Sequence, residues 1–254
     1  MQRMIQKYNS ELDRYQEICR ANRTEPEVAD IVDREPNKIK WDKCLLEDVG
    51  KLRYQEYVTN SVVSGMYRPF LKQWMYFNRT FNASVYLMPR LFPTYRHTNL
   101  AISVTGPGAI KEFSCIMIDC PANLHLVSSG QCFPLYFYEK VDTSEATQNG
   151  LFTDSSELPD SDGYVRRDAI TDAALEDYRT FYGDKTITKE DIFYHVYGIL
   201  HAQDYREKFA SDLKKMLPRI PRPKTLNDFW AFSRAGRELS NSHVNYESVE
   251  PYPL

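Results

Sequence analysis

The sequence lacks any apolar run that approaches the roughly 20 residues a helix needs to cross a bilayer, and its first residues do not have the pattern of a signal peptide. Cysteine is scarce: the 5 cysteines are an odd number without close pairing. This usage favours reduced thiols and a cytoplasmic location. The formal net charge of −3 argues against a protein that binds nucleic acid non-specifically over its whole surface, but it is compatible with one basic surface.

Motifs of common catalytic sites are missing as well. The chain contains no Walker phosphate loop and no recognisable nucleophile elbow. Gly106 and Gly108 follow a predicted strand, but the third glycine of a dinucleotide-binding loop is absent, so an ordinary turn is expected. The spacing of His195 and His201 does not place them on one helical face, which favours packing histidines over an acid–base pair.

One group of potential zinc ligands lies close together in the sequence. Its members are Cys115, Cys120, His125 and Cys132. The group lacks the C-x-x-C pair of a zinc knuckle, and several of its members fall inside predicted strands. Buried thiols are therefore expected in preference to a metal site.

Residues 1–60 have the pattern of a mostly helical segment. An apolar stripe at three- and four-residue spacing predicts a long packing helix. The stripe comprises Met4, Ile5, Tyr8, Leu12, Tyr15 and Ile18. A second helical piece is predicted over 28–33, and a third, around Trp41 to Val49, ends at Gly50.

The pattern changes to short strands between 61 and 139. Runs rich in β-branched and aromatic residues are bounded by Gly, Pro, Asn or Ser. They lie at 62–69, 73–77, 99–105, 114–119, 124–127 and 132–138. These runs predict one mixed or antiparallel sheet of five or six strands. The polar, acidic stretch 142–163 is predicted to be an exposed loop.

Two helices with clear end signals are predicted within 186–224. Thr188 and Asp191 have the spacing of a capping box at the start of the first helix. Asp204 is the predicted N-cap of the second helix, and Pro218 is predicted to end it. Lysine and arginine outnumber acids on the second helix and its exit, so this segment is locally basic. Further helices are predicted from 171 onward and over 226–239.

Three blocks of sequence, in the right order, carry a family resemblance. They read YRPFLKQWMYFNR from Tyr67, YGILHAQDYREKFASDLKKMLPRIP from Tyr197 and DFWAFSRAGRELSNSHVNYE from Asp228. The chain from about Tyr67 onward, and more loosely the part before it, closely resembles the C-terminal specificity region of type ISP restriction-modification enzymes. In that family one polypeptide joins nuclease, helicase-like ATPase, adenine methyltransferase and target-recognition parts.

The resemblance implies a division of labour and an architecture. The chain lacks the Asn/Asp-Pro-Pro-aromatic motif that such methyltransferases place against a flipped adenine. It is therefore expected not to be an enzyme by itself, with S-adenosylmethionine, ATP and Mg²⁺ needed only by the parent enzyme. We expect an α+β fold with a helical connector over 1–60 and a target-recognition domain over 61–254. In that domain a helical C-terminal half is expected to pack on a central mixed or antiparallel sheet. Relatives continue beyond the C-terminal end of this chain, so the domain is expected to be truncated there.

The expected partners are double-stranded DNA and the methyltransferase and helicase-like parts of the same enzyme, in cis or in trans, but no membrane. Arginine can read guanine or pair with phosphate, and flat aromatic rings can pack on bases or sugars. One set of candidate contacts interleaves both types: Arg68, Trp74, Tyr76, Arg79, Arg90 and Arg96. A second set suits phosphate contact: Lys214, Lys215, Arg219, Arg222 and Lys224.

Alternatives remain open for both sets. In the region of the first set, Tyr67, Phe70 and Trp74 can equally build the core of the sheet, and the basic set can be a solvated helix face. The function also has alternatives, namely a protein-interaction or structural module that docks onto methyltransferase or ATPase subunits, and an unrecognised enzyme. Salt-insensitive association with a protein partner would favour the interaction module, and a bound metal or cofactor would favour the enzyme.

Overall fold

The computed structural model describes residues 1–22, 25–35, 37–141 and 158–250. They form two compact units. The first unit comprises Met1–Val63 and Trp74–Tyr86, and the second comprises Ser64–Gln73 and Leu87–Leu254. Most of the predicted acidic loop at 142–163 lies outside the described residues. No helix within the described ranges is long and apolar enough to cross a membrane.

Three helices build the first unit, as the apolar stripe predicts. They are α1 (Gln2–Asn22), α2 (Val28–Ile31) and α3 (Lys43–Gly50). Tyr8 and Leu12 of the stripe are fully buried, and they pack with Leu45 and Val49 of α3. A 3₁₀ turn (Thr59–Ser61) then leads into a hairpin of β1 (Val62–Arg68) and β2 (Leu71–Tyr76). The predicted helices and hairpin are thus confirmed.

The described residues of the second unit form two further small antiparallel sheets. In the first, β3 (Ala101–Val104) lies between β4 (Cys115–Ile118) and β5 (Gln131–Pro134). Ala101 stands opposite Ile118 on one side and Pro134 on the other. In the second sheet, β6 (Tyr136–Lys140) pairs with β7 (Tyr164–Asp168), a strand that the sequence pattern did not predict.

The prediction of one continuous sheet is therefore wrong. The predicted strand 132–138 is split at Leu135, whose N–H donates to the Leu100 carbonyl over 2.8 Å. The Asn99 side chain completes the split, because it bonds both the N–H and the carbonyl of Tyr136. The predicted strand 124–127 is a turn, although Leu126 and Val127 are buried there. An apolar pair reports burial, and burial does not require a strand.

Six helices of the described residues belong to the second unit. They are α4 (Met88–Leu91), α5 (Asp172–Tyr182), α6 (Lys189–His201), α7 (Gln203–Lys208), α8 (Ala210–Leu213) and α9 (Leu226–Val244). A 3₁₀ turn, Tyr246–Ser248, follows α9. Helix α6 packs on the sheet of β3 to β5, where the Met117 N–H donates to the Tyr197 hydroxyl over 2.8 Å. The α+β class and the packing of C-terminal helices on a sheet are confirmed.

The predicted second central helix is shorter and broken. Ala202, rather than Asp204, is the N-cap of α7, and Asp204 lies in its first turn. The Arg206 guanidinium instead caps the previous helix, donating to the Leu200 carbonyl over 2.7 Å. Phe209 leaves helical geometry, with φ −107° and ψ 18°, so that α7 and α8 are separate pieces. Residues 214–224 therefore lie outside the helices, between α8 and α9.

The capping box at the start of α6 is present as predicted, and it allows a quantitative test. The Thr188 side chain accepts from the Asp191 N–H, and the Asp191 carboxylate accepts from the Thr188 N–H. We expect Thr188→Ala to lower the free energy of unfolding by about 1 kcal/mol, the usual loss for an N-cap. Urea denaturation measures this loss. The control Thr180→Ala, on the exposed side of α5, should change stability by less than about 0.5 kcal/mol, and an equal effect of both variants would contradict the capping role.

Candidate nucleic-acid interface

The basic segment, residues 214–224, follows α8: it begins with a turn at Lys214 and Lys215 and continues without helix or strand to Lys224. Leu217 and Ile220 pack against the main core of the second unit. Two tyrosine hydroxyls fix its backbone, because Tyr205 donates to the Arg219 carbonyl over 3.0 Å and Tyr182 donates to the Pro223 carbonyl over 2.8 Å. Apolar anchors and backbone hydrogen bonds therefore hold the segment while its charged side chains point elsewhere.

Four of the five predicted phosphate contacts in this segment are exposed. They are Lys214, Lys215, Arg219 and Lys224. Within the described ranges, none of the four forms an ion pair with a carboxylate. A polyanion can therefore approach these cations without displacing a protein carboxylate first. The segment contains no acid of its own, so its local potential is positive.

Arg222 differs from its neighbours. Its guanidinium forms a close ion pair with Asp177 on α5, and it also stacks on the rings of Tyr178 and Phe181 at 4.8 and 4.7 Å. This cation already has a partner on α5, which joins the basic segment to that helix. Arg222 is therefore less available to a phosphate than the four exposed cations.

The candidate residues of the hairpin are divided between the two units. In the second unit, Arg68 is exposed and stacks on its neighbour Tyr67, with the guanidinium 4.1 Å from the ring centre. Phe70 at the turn has φ +58°, a left-handed conformation that is uncommon for an aromatic residue. Lys72 holds the strand in place through Asp119 at 2.9 Å.

In the first unit, Trp74, Tyr76 and Arg79 have unequal environments. Trp74 is 80% exposed, and Arg79 is exposed as well. Tyr76 is only 3% exposed: it stacks on Tyr57 at 5.6 Å, and its hydroxyl accepts from the Val58 N–H over 3.1 Å. Tyr76 therefore belongs to the core of this unit and is not available as a DNA contact, whereas Trp74, which the alternative interpretation placed in the core of the sheet, is exposed.

Arg90 and Arg96 are exposed but partnered at the surface of the second unit. Arg90 pairs with Glu139 at 3.1 Å and lies over the Phe137 ring. Arg96 pairs with Asp162 at 3.4 Å and donates to the Tyr95 hydroxyl over 2.9 Å. Exposed pairs of this kind contribute at most about 1 kcal/mol, so a phosphate can compete for either arginine.

Sequence reasoning missed the loop that adjoins the basic segment. The tip loop, residues 106–112, connects β3 to β4 and carries the fully exposed Ile110 and the exposed Lys111. Ser128 and Ser129, in the neighbouring loop before β5, both have positive φ, at +62° and +51°. Strained backbone of this kind concentrates at functional sites. The only sequence signal was the pair of glycines at 106 and 108, which predicts a turn but not what the turn displays.

The cysteine group does not converge on one point. Cys115 and Cys120 are buried, as expected for structural thiols, whereas His125 is exposed. Burial raises the pKa of Cys115 to about 11 and that of Cys120 to about 12, so both are protonated at neutral pH. The five cysteines, all within the described ranges, are free.

The family model for the type ISP C-terminal specificity domain matches residues 1–254 of this chain. The chain belongs to this family. The resemblance noted in the sequence is thereby confirmed over residues 1–254. Comparison with curated proteins gave no match.

Solved structures resemble this specificity domain over nearly all its residues. A cryo-EM structure of a DrdV–DNA complex matches at 31% identity with a TM-score of 0.75, covering 98% of this chain and 21% of DrdV. A nuclease-deletion mutant of the type ISP restriction-modification enzyme LlaGI, in complex with a DNA substrate mimic, matches at 28% identity and a TM-score of 0.73, covering 99% and 20%.

The type ISP enzyme LlaBIII, solved bound to DNA, matches at 23% identity with a TM-score of 0.73, covering 98% of this chain and 14% of LlaBIII. At this identity the likeness supports the shared fold alone. The specificity domain thus spans about a fifth or less of the length of each of these three proteins.

Proposed function

We propose that this chain is the DNA target-recognition module of a type ISP-like restriction-modification enzyme. It holds double-stranded DNA at a short asymmetric site, so that adenine methyltransferase and helicase–nuclease parts, in cis or in trans, act there. The observation that carries the proposal is the basic segment, whose four exposed cations lie on a fixed backbone without carboxylate partners in the described ranges. The solved relatives DrdV and LlaGI, which are DNA complexes, support it.

The proposed mechanism separates positioning from reading. Lys214, Lys215, Arg219 and Lys224 contact phosphates, release condensed counterions and set the register of the domain on the duplex. Exposed arginines such as Arg68 present two parallel donors, which suit the O6 and N7 acceptors of guanine in the major groove. The chain carries out no reaction itself: S-adenosylmethionine, ATP and Mg²⁺ serve the parent enzyme. Its place is the prokaryotic cytoplasm, consistent with its free thiols.

The test is retention of a random pool of duplex DNA at two salt concentrations, followed by sequencing of the retained fraction. We expect one short asymmetric motif to be enriched and retention to fall steeply with salt. The double variant Lys214→Ala with Arg219→Ala should bind all sequences more weakly. Its log–log salt slope should be smaller by about two, because each lost phosphate contact lowers the slope by about one.

A matched control removes the same two charges elsewhere. Lys185 and Arg234 are exposed and, within the described ranges, likewise free of carboxylate partners. Lys185→Ala with Arg234→Ala should leave both the slope and the motif unchanged. A folded wild-type chain that retains no DNA at either salt would overturn the proposal and favour a protein-interaction module.

A further inference from the structure

The tip loop displays an aliphatic side chain at its most exposed point. Ile110 is fully exposed and stands between small or charged neighbours, Ala109 and Lys111. A single exposed aliphatic residue is common on protein surfaces and by itself carries no meaning. Three further features distinguish this loop. They are the hydrogen bonds that hold it, the charged residues beside it, and the end of the sheet from which it protrudes.

The loop is fastened to the protein through its own backbone. The Gly106 N–H donates to the Ser128 carbonyl over 3.4 Å, and the Ala109 N–H donates back to the Gly106 carbonyl over 3.3 Å. Gly106 lies so close to Ser129 that an added Cβ would stand 2.2 Å from the Ser129 carbonyl oxygen. Only glycine fits there, which means that the fold brings this turn into direct backbone contact with the neighbouring loop.

The loop is also tied to the basic segment. The Gly108 N–H donates to the Lys214 carbonyl over 3.2 Å, and Gly108 itself has φ +74°. This bond, two residues before Ile110, joins the tip loop to the start of the basic segment, where Lys214 and Lys215 are exposed. In the tip loop and basic segment together, Glu112 is the one acid against six cations. An aliphatic tip thus stands at the edge of a positively charged surface.

All these pieces meet at one end of the small sheet. β3 ends and both β4 and β5 begin there, so the tip loop and the loop before β5 protrude from the same edge. The major groove is about 12 Å wide and admits a two-stranded β-ribbon, so a loop that joins two antiparallel strands can enter it.

We infer that Ile110 is a base-contacting residue that packs against the C5-methyl group of a thymine in the major groove. The inference rests on the proposed DNA-binding function and deepens it. Apolar side chains recognise thymine by this methyl group, the one apolar feature that a base pair presents in that groove. The lysines of the basic segment provide affinity without sequence information, whereas Ile110 contributes preference at one A·T pair.

The experiment deletes the methyl group from the DNA and the side chain from the protein. Each thymine of the motif selected by the wild-type chain is replaced singly by deoxyuracil, which removes only the C5-methyl. At one position we expect wild-type affinity to fall about fourfold, the worth of one buried methyl-sized group. Ile110→Ala should already bind the thymine site several-fold more weakly and should show no further loss with deoxyuracil.

Two controls separate this inference from the proposed function. Leu158→Ala removes another exposed aliphatic side chain and should respond to every deoxyuracil as the wild type does. Thermal unfolding should show that Ile110→Ala is as stable as the wild type, because the removed side chain is fully exposed. If Ile110→Ala selects the same motif with the same deoxyuracil response, the inference fails while DNA binding stands. A selected motif without an A·T pair would overturn it too, and a chain that binds no DNA would overturn both.

Discussion

Replacing Gly236 with alanine is expected to lower the free energy of unfolding by about 3 kcal/mol. Gly236 on α9 faces Gly198 on α6, and the two helices approach through these glycines. A Cβ at Gly236 would stand 2.0 Å from the Tyr194 carbonyl oxygen, and one at Gly198 would stand 2.3 Å from the Phe232 carbonyl oxygen. Both obstacles are backbone atoms, so the helices must move apart.

The expected sign is opposite to helix propensity. Alanine inside a helix is favoured over glycine by about 1 kcal/mol, which would stabilise either variant if space allowed. The cost of overpacking exceeds that gain because Ser233 and Ser240, also buried on α9, share the close face and would lose their packing together with Gly236. Gly198→Ala should therefore destabilise the chain by a similar amount.

Urea denaturation followed by far-UV circular dichroism, which reports helix content and hence α6 and α9, measures the effect. The matched control is Gly50→Ala in α3, where the nearest atom to an added Cβ is a Val28 methyl at 3.4 Å, an ordinary contact. That variant should be unchanged or slightly more stable. An unfolding midpoint of Gly236→Ala equal to that of the wild type would show that α6 and α9 do not approach through their glycines.

The second large effect is a loss of stability in mild acid that originates at His195. Its ring is 0% exposed, and within the described ranges neither ring nitrogen has a hydrogen-bond partner. Phe229 lies 5.0 Å from it, centre to centre, and Tyr178 lies at 6.1 Å. Burial in this aromatic cage lowers the pKa of His195 from 6.5 to about 4, because the charged ring would lose its hydration.

The direction of the pH effect follows from proton uptake. Below pH 6.5 the unfolded chain protonates this histidine while the folded chain keeps it neutral, so acid favours unfolding. Above pH 6.5 the free energy of unfolding has its full value as far as His195 is concerned. It falls by ~3 kcal/mol between pH 6.5 and pH 4, because each pKa unit corresponds to about 1.4 kcal/mol. Burial and the nearby Arg206 also lower the pKa of His201 to about 4. His201 therefore adds a loss of stability of the same sign.

The test compares unfolding free energies at pH 7 and pH 5. His195→Phe keeps a ring in the cage but removes the titration and the unpartnered nitrogens. It should therefore make the pH dependence shallower, leaving the loss that His201 contributes, and should not destabilise the chain at pH 7. The exposed His125 offers the control, and His125→Phe should retain the wild-type profile. A profile of His195→Phe as steep as that of the wild type would place the acid sensitivity elsewhere.

Local signals predicted much of the fold. The Thr188–Asp191 capping box, the stripe of α1 and the hairpin of β1 and β2 all depend on residues close in sequence, and all are present. The break at Phe209 could not be predicted, because Tyr205 before it and Leu213 after it both lie at helical spacing from Phe209. The split of the predicted sheet at Leu135 depends on hydrogen bonds that the N–H groups of Leu135 and Tyr136 donate to Leu100 and Asn99, which are distant in sequence.

The candidate interface divides in the same way. Basic composition identified residues 214–224 as a candidate phosphate-binding segment. The path of their backbone depends on hydrogen bonds from tyrosine hydroxyls of α5 and α7, which composition does not reveal. The core position of Tyr76 and the pairing of Arg222 with Asp177 are decided by partners far along the chain. Ile110 had no sequence signal at all, since nothing in its spacing distinguishes a displayed isoleucine from a buried one.

The fastening of the tip loop has a consequence for how specificity can diverge. The hydrogen bonds that hold residues 106–109 run from backbone to backbone, so the side chains from 109 to 112 are not needed to keep the loop in place. Their identities are free to change while Gly106 and Gly108 preserve the turn. A scaffold of this kind can acquire a new preference through one or two substitutions without a stability penalty, which makes 109–112 the first segment to randomise when a new target sequence is sought.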